Sequence, residues 1–470
     1  MSNINLSDDT IAGISTPPGV GGIGIVRISG GDAVSVAQKI FSSPKKIASM
    51  PSFTIAYGFI IDPETGEKVD EVLLSVMRGP KSYTAEDVVE INCHGGLLTV
   101  SKTLELAINA GAILAAPGEF TMRAFLNGRI DLTQAEAVLD IINAATSGSG
   151  RLAIEQLTGR LTQHISPVVN ELVSICAEVE AQIDFPEDDI SPSDRSLLLG
   201  RINSIVTSLN ALSDSYSFGR FYREGLSTAI AGKPNVGKSS LLNALLKKDR
   251  AIVTHLPGTT RDTIEEAINI NGLPVRIVDT AGIREGRELA ELEGISRSLA
   301  AIEAASLVIA VFDGSTAFSP EDEAILMATA GKDIIIAVNK ADKTMAYSND
   351  FIIDKYRQVN NHDTVKIVSI SALTGSGLDT LKETLYSHVM GSSTVEAHEG
   401  VVVTNLRHKT ALDRTSAALR NAGKSLSADS PYEITALDLR NALNALGQIT
   451  GTITTGDILD RIFSDFCIGK

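Results

Sequence analysis

The residues Gly232-Lys233-Pro234-Asn235-Val236-Gly237-Lys238-Ser239, with Ser240 behind them, have the spacing of a loop that cradles phosphates. The apolar run Ser227 to Ala231 precedes them and helical spacing over Ser239 to Leu246 follows, which is the strand–loop–helix context such a loop requires. Gly232 and Gly237 let backbone N–H groups turn toward phosphate oxygens, the helix adds its positive end, and Lys238 adds a point charge. Ser239 is placed to hold Mg²⁺. Downstream, Asp279-Thr280-Ala281-Gly282 ends the apolar run Val275 to Val278, so that its carboxylate can reach the metal through water and Gly282 leaves room for a terminal phosphate. Asn339-Lys340-Ala341-Asp342 comes next, and Ser371-Ala372-Leu373 follows the strand-like Lys366 to Ile370. Asp342 can accept two hydrogen bonds from the amide and amino edge of guanine, whereas adenine offers no such donor pair and would leave the carboxylate desolvated. Ser371 and Ala372 fit a backbone contact to guanine O6. These motifs, in this order, point to GTP.

Hydrolysis needs a group that orients water, and after Asp-Thr-Ala-Gly the usual glutamine is replaced by Ile283, whose aliphatic side chain cannot do it. Glu285, Glu288, Glu291 and Glu293 follow as acidic candidates, each also readable as a solvated loop charge. Upstream, the segment Thr254 to Thr263 is rich in hydroxyls and backbone oxygens, and one of its threonines is expected to cap Mg²⁺ and the γ-phosphate. Asn235 offers a neutral oxygen near the same phosphates. A monovalent cation held there with the loop's carbonyls could do what an arginine finger does elsewhere.

The elements that must position these groups form more than one domain, as 470 residues with 43% hydrophobic content allow. Residues 1–128 read as mixed α/β, with strand-like stretches at Thr10 to Ser15, Gly24 to Ile28, Phe53 to Ile61, Val72 to Met77 and Val88 to Cys93, and a helix over Leu97 to Ala110. Helical periodicity takes over from Asp131, is punctuated by Ser147-Gly148-Ser149-Gly150, and resumes through Leu152 to Ile183 and Arg195 to Tyr216. It returns after the linker-like Gly391 to Thr394, through Leu406 to Ala422 and Ile434 to Leu446. The expected architecture is therefore an α/β domain (1–128), then a helical domain in two halves (129–222 and 392–470) flanking an inserted, doubly wound P-loop domain (223–391). A net charge of −16 argues against sequence-blind adhesion to nucleic acid, so any RNA contact must be local. The densest basic stretch, Arg407-His408-Lys409 with Arg414, Arg420 and Lys424, reads as a solvated helix face or as such a contact. A polar, acidic N-terminus and three scattered cysteines, Cys93, Cys176 and Cys467, suit the cytoplasm. Three further patterns carry little. Gly19 to Gly24 fits G-x-G-x-x-G but leads into a strand, the ending Cys467-Ile468-Gly469-Lys470 fits prenylation poorly, and His94-Gly95-Gly96 lacks a nucleophile elbow to accompany it.

The P-loop sequence, Gly258-Thr259-Thr260-Arg261-Asp262, the helical flanks and the ending Phe466-Cys467-Ile468-Gly469-Lys470 together resemble the MnmE (TrmE) tRNA-modification GTPases along essentially the whole chain. Thr16-Pro17-Pro18-Gly19, Gly24 to Gly30, Pro117 to Phe120 and Arg123 to Asn127 match further elements of that family. The resemblance implies a dimerising N-terminal domain similar to folate-binding aminomethyltransferases. It puts a one-carbon tetrahydrofolate (5,10-methylene or 5-formyl) on Arg27, Glu90, Arg129 and Lys470, with Cys467 pointing toward the same site. Where Arg129 stands the family often has lysine, which keeps the charge and alters the geometry. By the same resemblance K⁺ falls on Asn235, Thr254, Leu256 and Thr259, Mg²⁺ on Ser239 and Thr260, and the water-orienting acid is Glu291. It further implies a homodimer, tRNA as substrate, and a flavoprotein partner, MnmG (GidA), that carries the FAD. The reaction would add an aminomethyl or carboxymethylaminomethyl group to C5 of the wobble uridine. The rival readings are a ribosome- or RNA-associated switch GTPase without modification chemistry, and a folate-dependent transferase in which GTP is only regulatory.

Overall fold

In the computed structural model, which describes residues 9–184, 194–249, 266–278, 300–360, 365–391 and 400–470, two six-stranded sheets are joined by a bundle of helices. The first sheet contains β1 (Ile11–Ile14), β2 (Gly24–Ser29), β3 (Thr54–Ile61), β4 (Lys68–Met77), β5 (Val88–Cys93) and β6 (Ile113–Leu114). Their order is β3-β4-β5-β2-β1-β6, antiparallel except where β1 meets β6. Alternation along β2 sends Val26 and Ile28 into a core with α1 (Ala33–Ile40), α2 (Pro44–Ala48) and α3 (Leu97–Asn109), and turns Arg27 to the other face. Register fixes the consequence. Arg27 lies opposite Glu90 of β5, and α4 (Glu119–Leu126) brings the buried Phe120 to the same face.

The helices α5 (Leu132–Asn143), α6 (Ser147–Leu157), α7 (Arg160–Asp184), α8 (Arg195–Asp214) and α9 (Tyr216–Glu224) follow. The second sheet comes next in the chain, with β7 (Leu226–Ala231), α10 (Lys238–Asp249), β8 (Glu266–Ile270), β9 (Leu273–Ile277), β10 (Leu307–Asp313), α11 (Pro320–Ala328), β11 (Asp333–Asn339), α12 (Asn349–Val359), β12 (Lys366–Ser369) and α13 (Leu378–Met390). Its order is β12-β11-β10-β7-β9-β8, parallel apart from the β8–β9 hairpin. Helices cover both faces, so β10 and β11 are nearly continuous buried apolar runs. The chain closes with α14 (Leu406–Ser427), α15 (Tyr432–Thr450) and α16 (Gly456–Phe463). One apolar core takes residues from α7 and α8, such as Leu172 and Ile202, together with Leu412, Leu419 and Leu439 of α14 and α15.

Several expectations change here. Ser147 to Gly150 do not interrupt the helices: Thr146 caps the amide of Ser149 and they form the first turn of α6. Glycine is needed at 148 because any Cβ there would lie 2.3 Å from the carbonyl of Gly272, in the turn between β8 and β9. The helices break just before these residues, at Ala144 to Thr146 between α5 and α6, and again at Gly159, with φ of 79°. The basic stretch on α14 is not a solvated face or an RNA contact at its start, because His408 is fully buried and Arg407 is paired with Glu136 of α5. Of the expected linker only Gly391 is described, as the C-cap of α13. Among the described residues, no helix is long and apolar enough to cross a membrane.

Candidate functional site

The P-loop leaves β7 at Ala231 and enters α10 at Lys238. Asn235 (φ 64°) and Gly237 (φ 102°) adopt left-handed backbone, which turns successive amides toward one concavity. A Cβ at Gly237 would meet Asn339 Nδ2 at 2.2 Å, so only glycine fits. Asn339 itself, at the end of β11, donates from Nδ2 to the Val236 carbonyl (2.7 Å) and accepts at Oδ1 from the Ala372 amide (3.0 Å). One buried side chain therefore fastens the phosphate loop, the Asn-Lys-x-Asp motif and the Ser-Ala-Leu motif together. The Lys238 ammonium is held by the carbonyls of Gly232 (2.6 Å) and Lys233 (2.9 Å), and burial pushes its pKa down. Ser371 donates to Asp342 Oδ1 (2.6 Å), the main reason that this exposed carboxyl is held below its ordinary range. Lys340, at φ of 65°, pairs with Asp313 at the end of β10. A purine ring laid between the P-loop and Ala372 would thus find an ionised acceptor at its edge.

A second cluster sits on the outward face of the first sheet. Arg27 donates through Nε and Nη2 to Glu90 Oε1 (2.8 Å each) and through Nη1 to the Gly469 carbonyl (3.2 Å). Ser15 Oγ donates to the same carbonyl at 3.0 Å. Gly469 has φ of 94°, and a Cβ there would lie 2.1 Å from the Ile14 carbonyl, so the chain's last residues are pressed onto β1 where only glycine allows it. Phe463 and Phe466 anchor this segment against Leu132 and Ala135 of α5. Burial and then the neighbouring Arg27 push the Lys470 ammonium's pKa down, while Glu90 and Cys467 pull the other way. The exposed Arg129 donates to the Tyr83 carbonyl at 2.7 Å. Arg27 and Lys470 lie near Glu90, and Arg129 shares the Tyr83 ring with Arg27, so side-chain cations outnumber side-chain carboxylates here, which suits an anionic ligand.

The family pattern described as the MnmE helical domain matches residues 132–467, and that of the GTP-binding protein TrmE N-terminus matches residues 10–129. A tRNA modification GTPase MnmE of Desulforamulus reducens is 45% identical over 465 residues, 98% of this chain and 100% of that protein. The protein of that name from Geobacter sulfurreducens is 46% identical, over 98% of this chain and 99% of its own length. The chain belongs to the MnmE family. A solved structure of Era from Aquifex aeolicus with GDP·AlF4⁻ matches at 29% identity and a TM-score of 0.27, over 41% of this chain and 65% of that one.

In this MnmE-family chain the described residues bring the expected nucleotide-side groups Asn235, Val236 and Gly237 into one loop and Lys238, Ser239 and Ser240 into the first turn of α10, with Asn339, Lys340, Asp342, Ser371 and Ala372 on the neighbouring strand ends. Thr254, Leu256, Thr259, Thr260, Asp279, Thr280, Ala281, Gly282 and all four acidic candidates, Glu291 included, lie outside the described residues. Arg27, Glu90, Arg129 and Lys470 come together on the first sheet, and Cys467 is exposed nearby on the segment that carries Lys470. Two residues of this MnmE-family protein escaped the sequence reading. Asp313 had a readable signal, a lone carboxylate closing a strongly apolar strand, whereas Tyr83 had none, because its neighbours become visible only in three dimensions.

Proposed function

We propose that this chain hydrolyses GTP and, with a flavoprotein partner, uses a one-carbon tetrahydrofolate to add an aminomethyl or carboxymethylaminomethyl group to C5 of the wobble uridine of certain tRNAs. The observation that carries the reading is the Arg27–Glu90 pair closed over by Gly469, since it joins the two ends of the chain in one cationic site apart from the nucleotide loop. In this reading Arg27, Arg129 and Lys470 hold the anionic folate, and Glu90 keeps Arg27 oriented. Asp342 accepts from the guanine edge, held ionised by Ser371. Lys238 and the P-loop amides bind the phosphates, with Ser239 and Thr260 for Mg²⁺ and Asn235, Thr254, Leu256 and Thr259 for K⁺. The bound Mg²⁺ would neutralise phosphate charge. Glu291 orients the attacking water, and Cys467 faces the one-carbon unit. The protein works in the cytoplasm as a homodimer whose G domains meet across their switch segments.

Support comes from the family, from the fit of the P-loop to a nucleotide, and from the chemistry of the two clusters. Mass spectrometry of wobble uridines from cells with and without the protein tests it. The modified uridine should disappear with the gene and stay absent when a hydrolysis-dead chain replaces it. An unchanged uridine spectrum in the deleted cells would overturn the proposal.

A further inference from the structure

Tyr83 stands on the loop between β4 and β5, and that loop is tied down at nearly every residue. Arg78 pairs with Asp87 (2.8 Å), Asp87 Oδ1 accepts from the Gly79 amide (3.0 Å), Ser82 Oγ donates to the Glu86 carbonyl (2.5 Å), and Asn127 donates to the Thr84 carbonyl (2.7 Å). Tyr83 itself shares a hydrogen bond between its hydroxyl and Thr121 Oγ1 at 2.8 Å. A connection fixed at so many points presents a side chain in one place. What it presents is a ring that two guanidinium groups share: Arg27 lies 5.2 Å from its centroid and Arg129 lies 4.9 Å from it. Phe120 adds a second ring, 5.6 Å from Arg27.

Two arginines repel each other, and Glu90 neutralises only the one it touches. The electron-rich ring face attracts both cations, and a rigid aromatic does so without spending a counter-charge that would cancel an incoming anion. A carboxylate at position 83 would also gather the arginines, at the expense of their affinity for a ligand. The ring gathers them and leaves the charge available.

Resting on the folate reading above, we propose that Tyr83 is a positioning residue that sets ligand preference. It fixes Arg27 and Arg129 as a pair for the glutamate carboxylates of a folate, and so favours tailed folates over a bare pterin. Since the guanidinium groups already occupy its ring, Tyr83 works through them and not as a stacking platform for the pterin.

Calorimetry on the full-length protein tests this with two ligands, 5-formyltetrahydrofolate and a tetrahydropterin lacking the glutamate tail. Tyr83→Leu should weaken the tailed folate about tenfold and leave the tailless ligand within about twofold, narrowing the preference. Tyr83→Phe keeps the ring and should restore wild-type preference, and Thr121→Val, which removes only the hydroxyl's partner, should behave like wild type. Thermal melting of each variant separates misfolding from a change of site, and if Tyr83→Leu does not fold, Tyr83→Met and Arg129→Gln carry the comparison. Equal weakening of both ligands, or a Phe variant as poor as Leu, would overturn the inference and leave the folate reading standing. Failure of the wild type to bind the tailed folate would overturn both.

Discussion

Asn339 shows how much rests on single side chains: it ties the P-loop to the Ser-Ala-Leu motif from within, while Asp342 three residues later is exposed and accepts from Ser371. Replacing Asp342 with asparagine exchanges an acceptor for a group that can also donate, so base preference should move from guanine toward xanthine. Competition between GTP and xanthosine triphosphate checks this, and retention of full GTP affinity with no gain for the other nucleotide would contradict the assigned role. Asn235 carries a second expectation. Its backbone is left-handed and its side chain exposed at the loop's rim. If its amide oxygen is one of the ligands of K⁺, hydrolysis should be fast in K⁺ and Rb⁺ and slow in Na⁺ at fixed ionic strength, and Asn235→Ala should erase the difference while Mg²⁺-dependent nucleotide binding survives. Charge neutralisation of this kind is worth about 10³ to 10⁵ in rate where an arginine supplies it. Equal wild-type rates in K⁺ and Na⁺ would rule the arrangement out.

At the scale of elements, the two halves of the helical region are fastened by one buried carboxylate. Glu136 of α5 accepts from Asn405 Nδ2 (3.0 Å), Arg407 Nε (2.9 Å) and Nη2 (2.8 Å), and meets His408 Nε2 at 2.7 Å. Arg407 in turn donates to the carbonyls of Gln448 and Ile449 at the end of α15. Burial by itself would raise the Glu136 pKa, but His408 and then Arg407 outweigh it and hold the group at about 2, against an ordinary 4.5. A depressed folded pKa means stability that is fully present above about pH 4.5 and is lost as the pH falls toward 2. Glu136→Gln should therefore cost about 3–5 kcal/mol near neutrality, because the half-buried Arg407 guanidinium loses its anion. Denaturant melts at several pH values should show that gap closing over the same acid range, and a gap independent of pH would contradict the account. None of this network could be read from the chain, since Glu136 and Arg407 are 271 positions apart. The strands β10 and β11 were legible because burial on both faces makes them apolar throughout. The first turn of α6 was not, because Ser-Gly-Ser-Gly reads as a loop until the Gly272 carbonyl that presses on it is known. The nucleotide motifs were legible because their chemistry is local, and the Tyr83 contacts were hidden because theirs is not.

At the scale of the whole molecule, the N-terminal sheet is not finished by its own residues. Gly469 accepts hydrogen bonds from Ser15 and Arg27, 454 and 442 positions earlier, and Lys470 stands beside the Arg27–Glu90 pair. Deleting Lys470 should weaken folate binding by about tenfold or more and leave GTP affinity unchanged, because the two clusters share no side chain. Parallel calorimetry with folate and nucleotide checks this, and equal folate affinity in the truncated chain would remove Lys470 from the site. The same geometry has a consequence in time. A ribosome adding about 5–20 residues per second releases the N-terminal sheet roughly 20–70 s before Gly469 exists to close over it. The site that joins the two ends can therefore form only after synthesis has passed through every other element. A nascent chain stalled after β12 but before that point would carry the nucleotide motifs while the Arg27–Glu90 pair still lacked the Gly469 carbonyl that closes over it.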